Sequence, residues 1–171
     1  MSVDRHSDPD PELGTAAVQA VDHVGFTVSD LSRSIEWYST LLDAPPLLRR
    51  LWDEPYISDV VGYPGCRLDC ALWRLPGGSM LELLCYEQPQ GTRVDMETFN
   101  AGNAHLCLVV ADLDAHYRRL GAIATFRSER PVEIPAGPYE GGRVCYLRDP
   151  DGISVELIEL PAAGVALSGD A

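Results

Sequence analysis

Two histidines and two glutamates in this chain recur as a repeat. His23, Val28, Asp30 and Leu31 lie 82 residues before His105, Val110, Asp112 and Leu113, so His-x4-Val-x-Asp-Leu occurs twice. Pro76-Gly77-Gly78-Ser79-Met80-Leu81-Glu82-Leu83 likewise precedes Pro150-Asp151-Gly152-Ile153-Ser154-Val155-Glu156-Leu157 by 74 residues, giving Pro-x-Gly-x3-Glu-Leu twice. The chain is therefore a tandem duplication in which each copy begins on His and ends on Glu. A glutamate flanked by apolar strand residues is costly to bury as an anion unless it has a partner. If the copies pack about a pseudo-twofold, His23, Glu82, His105 and Glu156 come to one centre. Two imidazoles and two carboxylates suit a divalent transition metal such as Ni, Co, Zn, Mn or Fe. Taken singly, a strand His is more often a hydrogen-bonded structural residue, and a strand Glu often faces water. The repeat-matched occurrence of all four favours metal ligation. His6 and His116 have no repeat partner and are assigned no role.

The elements that must position these residues can be read from periodicity. Val21 to Val28 alternates as a strand, with His23, Gly25 and Thr27 on one face and Val24, Phe26 and Val28 on the other, toward the core. Ser29 or Asp30 can cap a helix with Leu31, Ile35, Tyr38 and Leu42 at helical spacing, ended by Asp43-Ala44-Pro45-Pro46. Trp37 and Tyr38 are read as packing residues. A strand over Leu47–Asp53 follows, then a long loop over Glu54–Gly65, and strands over Arg67–Leu75 and Ser79–Tyr86 joined by a Pro-Gly-Gly turn. The second copy repeats the order. It has a strand over Ala104–Ala111, a helix over Asp112–Leu120, a strand over Ala122–Arg127 and a loop over Ser128–Gly141. Strands over Arg143–Arg148 and Ile153–Leu160 complete it. Each copy is β-α-β-β-β, an α+β architecture of two tandem modules. The expected divisions are a tail at 1–18, a first module at 19–88, a linker at 89–102, a second module at 103–161 and a tail at 162–171.

Composition narrows the function. The net charge of −13 opposes nucleic-acid and anionic-membrane partners, which need basic patches. All 13 basic residues are Arg, which removes Schiff-base lysine chemistry and a P-loop lysine. No apolar run reaches the roughly 18 residues a membrane helix needs, and the amino terminus does not resemble a secretory signal. A cytoplasmic location is expected. The five cysteines, at 66, 70, 85, 107 and 145, include no Cys-x2-Cys. Four of them sit in strand-like runs as small buried hydrophobes, so neither a disulfide framework nor a catalytic thiol is expected. Arg143 and Arg148, with Tyr146 between them, could bring a cation to a substrate carboxylate or phosphate, although surface Arg is the commoner role. Trp52, Tyr56, Tyr63 and Trp73 allow an aromatic ligand, but aromatic residues more often serve packing.

Four segments carry a resemblance over about residues 20–160. They are Val21-Asp22-His23-Val24-Gly25-Phe26-Thr27-Val28-Ser29-Asp30-Leu31, Leu81-Glu82-Leu83, Gly102 to Val110, and Arg148 to Leu157. Together they resemble the vicinal oxygen chelate superfamily, which includes glyoxalases, methylmalonyl-CoA epimerases, fosfomycin-resistance enzymes, extradiol dioxygenases and bleomycin-type binding proteins. The resemblance implies paired βαβββ modules forming a curved mixed sheet, a metal held by His23, Glu82, His105 and Glu156, and a homodimer. The His, Glu, His, Glu order is similar to the ligand set of bacterial glyoxalases. It differs from methylmalonyl-type epimerases, which usually carry Gln where Glu82 stands. Proton transfer on a small substrate chelated through vicinal oxygens is the implied chemistry, with Glu82 and Glu156 as candidate catalytic residues. Two alternatives stand beside it. An Fe(II) extradiol-type dioxygenase would use His23, His105 and Glu156, and a fourth anionic ligand at Glu82 counts against it. A bleomycin-resistance-like binding protein would sequester an antibiotic without turnover.

Overall fold

The computed structural model describes residues 18–162, and the tails expected at 1–18 and 162–171 lie almost wholly outside the described residues. The chain divides into two compact units, Met1–Thr92 and Arg93–Ala171.

The first unit runs β1 (His23–Thr27), α1 (Leu31–Leu42), β2 (Leu48–Trp52), α2 (Pro55–Val61), β3 (Arg67–Arg74) and β4 (Met80–Gln88). Its sheet has the order β1-β4-β3-β2, with β1 parallel to β4 and the other pairs antiparallel. Asp30 is the helix cap, its carboxylate accepting from the Arg33 backbone N–H at 3.0 Å, which satisfies a donor the helix leaves open. Helix α1 buries Leu31, Ser34, Trp37, Tyr38 and Leu41 and packs on β3 and β4. On those strands Ala71, Trp73, Leu81 and Leu83 are wholly or almost wholly buried. Trp37 and Tyr38 are packing residues as expected: their rings meet edge to face at 4.8 Å, and Tyr38 lies 6.3 Å from Trp73.

Strand alternation sends the remaining residues to the opposite face. His23 is in register with Met80 and Gly25 with Glu82, while Leu72 lies opposite Glu82 on the other side. The segment expected as a loop, Glu54–Gly65, contains α2. Pro55 stands where its missing N–H is harmless, Ile57 and Val61 fall one helical turn apart, and Gly62 at φ 76° ends the helix. Ile57 packs with Cys66, Leu68 and Cys70, and Trp52, Val61, Leu84 and Tyr86 close around them. Helix α2 thus covers the Leu68–Tyr86 end of this face, while Glu82 stays partly exposed.

The second unit runs β5 (His105–Val109), α3 (Leu113–Leu120), β6 (Thr125–Phe126), β7 (Val132–Glu133), β8 (Arg143–Arg148) and β9 (Ser154–Glu159). The order is β5-β9-β8-β6, with β7 also paired to β8 and β5 parallel to β9. Asp112 caps α3 by accepting from the Ala115 N–H at 2.8 Å, repeating Asp30. Glu159 adds a second tie, accepting from the Leu113 N–H at 2.8 Å and from the Arg143 guanidinium. These donors, Arg143 foremost, hold its carboxyl below the ordinary range. The strand expected over Ala122–Arg127 shrinks to Thr125–Phe126, because the Ile123 and Ala124 N–H groups both turn back to the Leu120 carbonyl. The expected loop over Ser128–Gly141 includes the short β7, antiparallel to β8. Residues 93–103 strap onto the second unit: Arg93 pairs with Asp151 at 2.9 Å, and Glu97 pairs with Arg127 and Arg148.

These contacts rank substitutions by cost. Leu81→Ala and Leu157→Ala, at 0 % and 1 % exposure, should each lower unfolding free energy by about 2–5 kcal/mol. Asp30→Ala and Asp112→Ala should each cost about 1 kcal/mol, and exposed Leu48→Ala less than about 0.5 kcal/mol. Urea denaturation midpoints will show the order.

Candidate functional site

In each unit the parallel pairing of first and last strands sets a histidine beside a glutamate. In the first unit His23 Nε2 lies 3.4 Å from Glu82 Oε2. In the second His105 Nε2 lies 3.0 Å from Glu156 Oε2. The imidazoles are open, at 47 % and 42 % exposure, while the carboxylates are recessed, at 21 % and 16 %. Solvent therefore reaches the ring nitrogens while the sheet fixes the acids. The candidate ligands come as one pair per unit, and within neither unit do the described residues gather three or more His, Cys, Asp or Glu as a metal site.

The surroundings of the two pairs differ. His23 Nδ1 lies 2.8 Å from Asp22 Oδ2, so the tautomer with the proton on Nδ1 donates to Asp22. Its Nε2 then turns a lone pair toward Glu82. Two lone pairs facing each other need a proton or a cation between them. Gly25 leaves room beside this pair: a Cβ there would come 3.3 Å from Leu84 Cδ1 and 3.8 Å from Glu82 Oε2. Burial raises the Glu82 carboxyl above the ordinary carboxylate range; His23 opposes the rise and Asp22 adds to it. In the second unit the Tyr146 hydroxyl donates to Glu156 Oε2 at 2.7 Å and lies 3.3 Å from His105 Nε2. Burial and that hydrogen bond push the phenol well above its ordinary value.

The donor types and distances fit a divalent ion. Two ligand atoms about 2.1 Å from one ion and at right angles to each other stand about 3 Å apart, close to both observed separations. Asp22 on His23 and Tyr146 on Glu156 are the outer partners such ligands usually have.

The remaining candidates sort plainly. Arg143 is on the helix-facing side, held by Glu159 and by Asp114 at 2.8 Å. Arg148 shares the face of Glu156 but pairs with Glu97. Trp73 is buried at 1 % exposure, Trp52 meets Tyr56 and carries Arg50 over its ring, and Tyr63 meets Tyr86. His116 Nδ1 bonds the Asp112 carbonyl oxygen, and His6 lies outside the described residues. All five cysteines are free. Cys70 and Cys145 are buried, and burial, reinforced by the nearby glutamates, pushes their thiols up to about 12 and about 11. They stay protonated at neutral pH, which suits packing rather than nucleophilic attack. Cys107 corrects the sequence reading: it is exposed, in register with Glu156 where the first unit has Gly25 opposite Glu82. Asp22 and the Tyr146 hydroxyl were not legible as site residues. Asp22 was signalled only by adjacency to His23. Tyr146 required knowing that the β8–β9 turn sets residue 146 opposite 156.

Comparison with known proteins shows which family and fold the chain resembles. Residues 20–157 match the family profile described as Glyoxalase/Bleomycin resistance protein/Dioxygenase superfamily. A 2-epi-5-epi-valiolone epimerase from Actinomyces sp is 32% identical over 155 residues, 87% of this chain and 84% of that protein. A solved glyoxalase family protein from Bacillus cereus has a TM-score of 0.72 at 22% identity, covering 88% of this chain and 99% of its own. A glyoxylase/bleomycin resistance protein/dioxygenase domain from Frankia sp. EAN1pec has a TM-score of 0.62 at 28% identity, covering 85% and 95%.

The raised Glu82 carboxyl carries a signed consequence. A carboxyl raised in the folded state adds stability below its unfolded value, and that contribution is lost as pH rises through the folded value. In chelator-treated protein at pH 7 the ionised Glu82 is therefore a net burden. Glu82→Gln should raise the urea midpoint at pH 7, with the gain fading as pH falls below about 4. An equal gain at both pH values would contradict the burial argument.

Proposed function

Since the chain belongs to the glyoxalase/bleomycin resistance protein/dioxygenase superfamily, we propose that it is a metal-dependent isomerase or epimerase acting on a small ketone by proton transfer at the carbon beside the carbonyl. The observation that carries this reading is the duplicated His–Glu pair, with a recessed carboxylate next to an open imidazole in both modules. The epimerase named above supports the reaction class, and its name suggests a substrate to test. The His23–Glu82 pair and the His105–Glu156 pair are the proposed ligands for a divalent ion from the series Ni, Co, Zn, Mn and Fe.

The residues divide the work by chemistry. His23 and His105 offer Nε2 lone pairs, with Asp22 fixing the tautomer of His23. Bound there, a divalent cation would polarise the substrate carbonyl and stabilise negative charge on its oxygen. Glu82 or Glu156 takes the proton from the adjoining carbon while the C–H electron pair moves toward the carbonyl, and a proton delivered to the opposite face of that carbon completes the epimerisation. A carboxyl raised by burial is matched to accepting and releasing a proton near neutrality, which favours Glu82 in this role. Glu82 also separates this reading from ring cleavage, since an Fe(II) dioxygenase needs only two His and one carboxylate and keeps the remaining positions open.

The test is substrate turnover in deuterium oxide with each metal restored to stripped protein. Screened against 2-epi-5-epi-valiolone and other small ketones, the wild-type protein should wash deuterium into the substrate carbon without oxygen uptake. Glu82→Gln should lower that exchange by about 10²–10⁴-fold. Stoichiometric oxygen uptake without exchange would establish ring-cleaving chemistry instead. Tight binding with neither would establish a sequestering protein.

A further inference from the structure

The two modules are built alike but hold their glutamates differently. Across β3 and β4 the residue in register with Glu82 is Leu72. Across β8 and β9 the residue in register with Glu156 is Tyr146. The same hairpin position therefore carries an alkyl group in one module and a phenol in the other. Only the phenol reaches its glutamate as a donor, at 2.7 Å, while its ring sits 5.3 Å from the His105 ring.

We propose that Tyr146 is a positioning residue that aims Glu156 at His105 for cation ligation, so that the second module grips a divalent ion more firmly than the first. The carboxylate oxygen that accepts from Tyr146 is Oε2, the same atom that stands 3.0 Å from His105 Nε2. One lone pair of that oxygen takes the phenol hydrogen, and the other stays available toward the imidazole. Held in this way, Glu156 loses less rotamer freedom when it ligates. Glu82 has no hydroxyl opposite it, and its nearest side-chain nitrogen is His23 Nε2 at 3.4 Å. Its carboxylate is the one left free to turn between the ion and a substrate proton. The inference rests on the metal-binding reading above and adds an unequal grip that the repeat alone does not predict.

The test uses full-length, chelator-stripped protein titrated calorimetrically with Ni²⁺ or Mn²⁺ alone, in the absence of substrate. Tyr146→Phe removes only the hydroxyl and should weaken binding by about 10–100-fold. Tyr146→Leu, which makes the position resemble Leu72, should weaken it to a similar extent. The visible spectrum of the Co²⁺ form should change in both variants. Unfolding midpoints check that each variant is folded. Glu156→Gln should lose more affinity than Glu82→Gln. Wild-type affinity in Tyr146→Phe, with loss confined to Tyr146→Leu and Glu156→Gln, would assign the effect to ring packing and overturn the positioning role. If neither the wild-type protein nor any variant binds the ions, or if His105→Ala and Glu156→Gln bind as the wild type does, the metal reading fails and takes this proposal with it. The two failures are therefore distinguishable.

Discussion

A carboxylate in the middle of an apolar strand is the constraint on which both modules depend. Glu82 sits between Leu81 and Leu83, and Glu156 between Val155 and Leu157, all four of these neighbours being 1 % exposed or less. The strand's two-residue period commits the neighbours to the helix-facing core and the glutamate to the other face. Burying that charge alone would cost several kcal/mol. The parallel partner strand sets a histidine ring beside that carboxylate, and a proton or a cation between the two compensates the charge. Shifting either strand by one residue would bury the histidine and expose the leucines. The packing that stabilises the sheet is thus the same packing that fixes the site.

Duplication preserved this arrangement while letting the surrounding positions diverge. Gly25 in the first module corresponds to Cys107 in the second in the register position beside the glutamate, and Leu72 corresponds to Tyr146. Cys85, whose thiol donates to the Ser29 carbonyl oxygen, corresponds to Glu159, which anchors the first turn of α3 and Arg143. The first module spent its longer interior on α2, which roofs one end of the site face with Ile57 over Cys66, Leu68 and Cys70. The second has a short β7 in the matching interval. The two modules therefore present similar donor pairs in unlike surroundings.

The acidic composition has a local counterpart. Several arginines are committed to carboxylates: Arg49 to Asp69, Arg67 to Asp53 and Glu87, Arg143 to Asp114 and Glu159, and Arg148 to Glu97. These pairs are partly exposed, where each contributes little to stability. Among them, the Arg148–Glu97 pair neutralises a cation on the face of Glu156.

The sequence by itself determined the duplication, the βαβββ order, the caps at Asp30 and Asp112, and the four residues that open and close the copies. Each of these is local or periodic, so spacing is enough to reveal it. It missed α2, where Pro55, Gly62, Pro64 and Gly65 resemble loop punctuation although Ile57 and Val61 supply a buried edge. It overextended β6, because hydrogen bonds to the Leu120 carbonyl compete with strand pairing there. Only the tertiary structure decided that Asp22 backs His23, that Tyr146 rather than Arg143 reaches the site face, and that Cys107 is exposed beside Glu156. Those facts depend on hairpin register and on which side of a sheet a helix covers. Both are set by contacts between residues far apart in sequence, which no local pattern encodes.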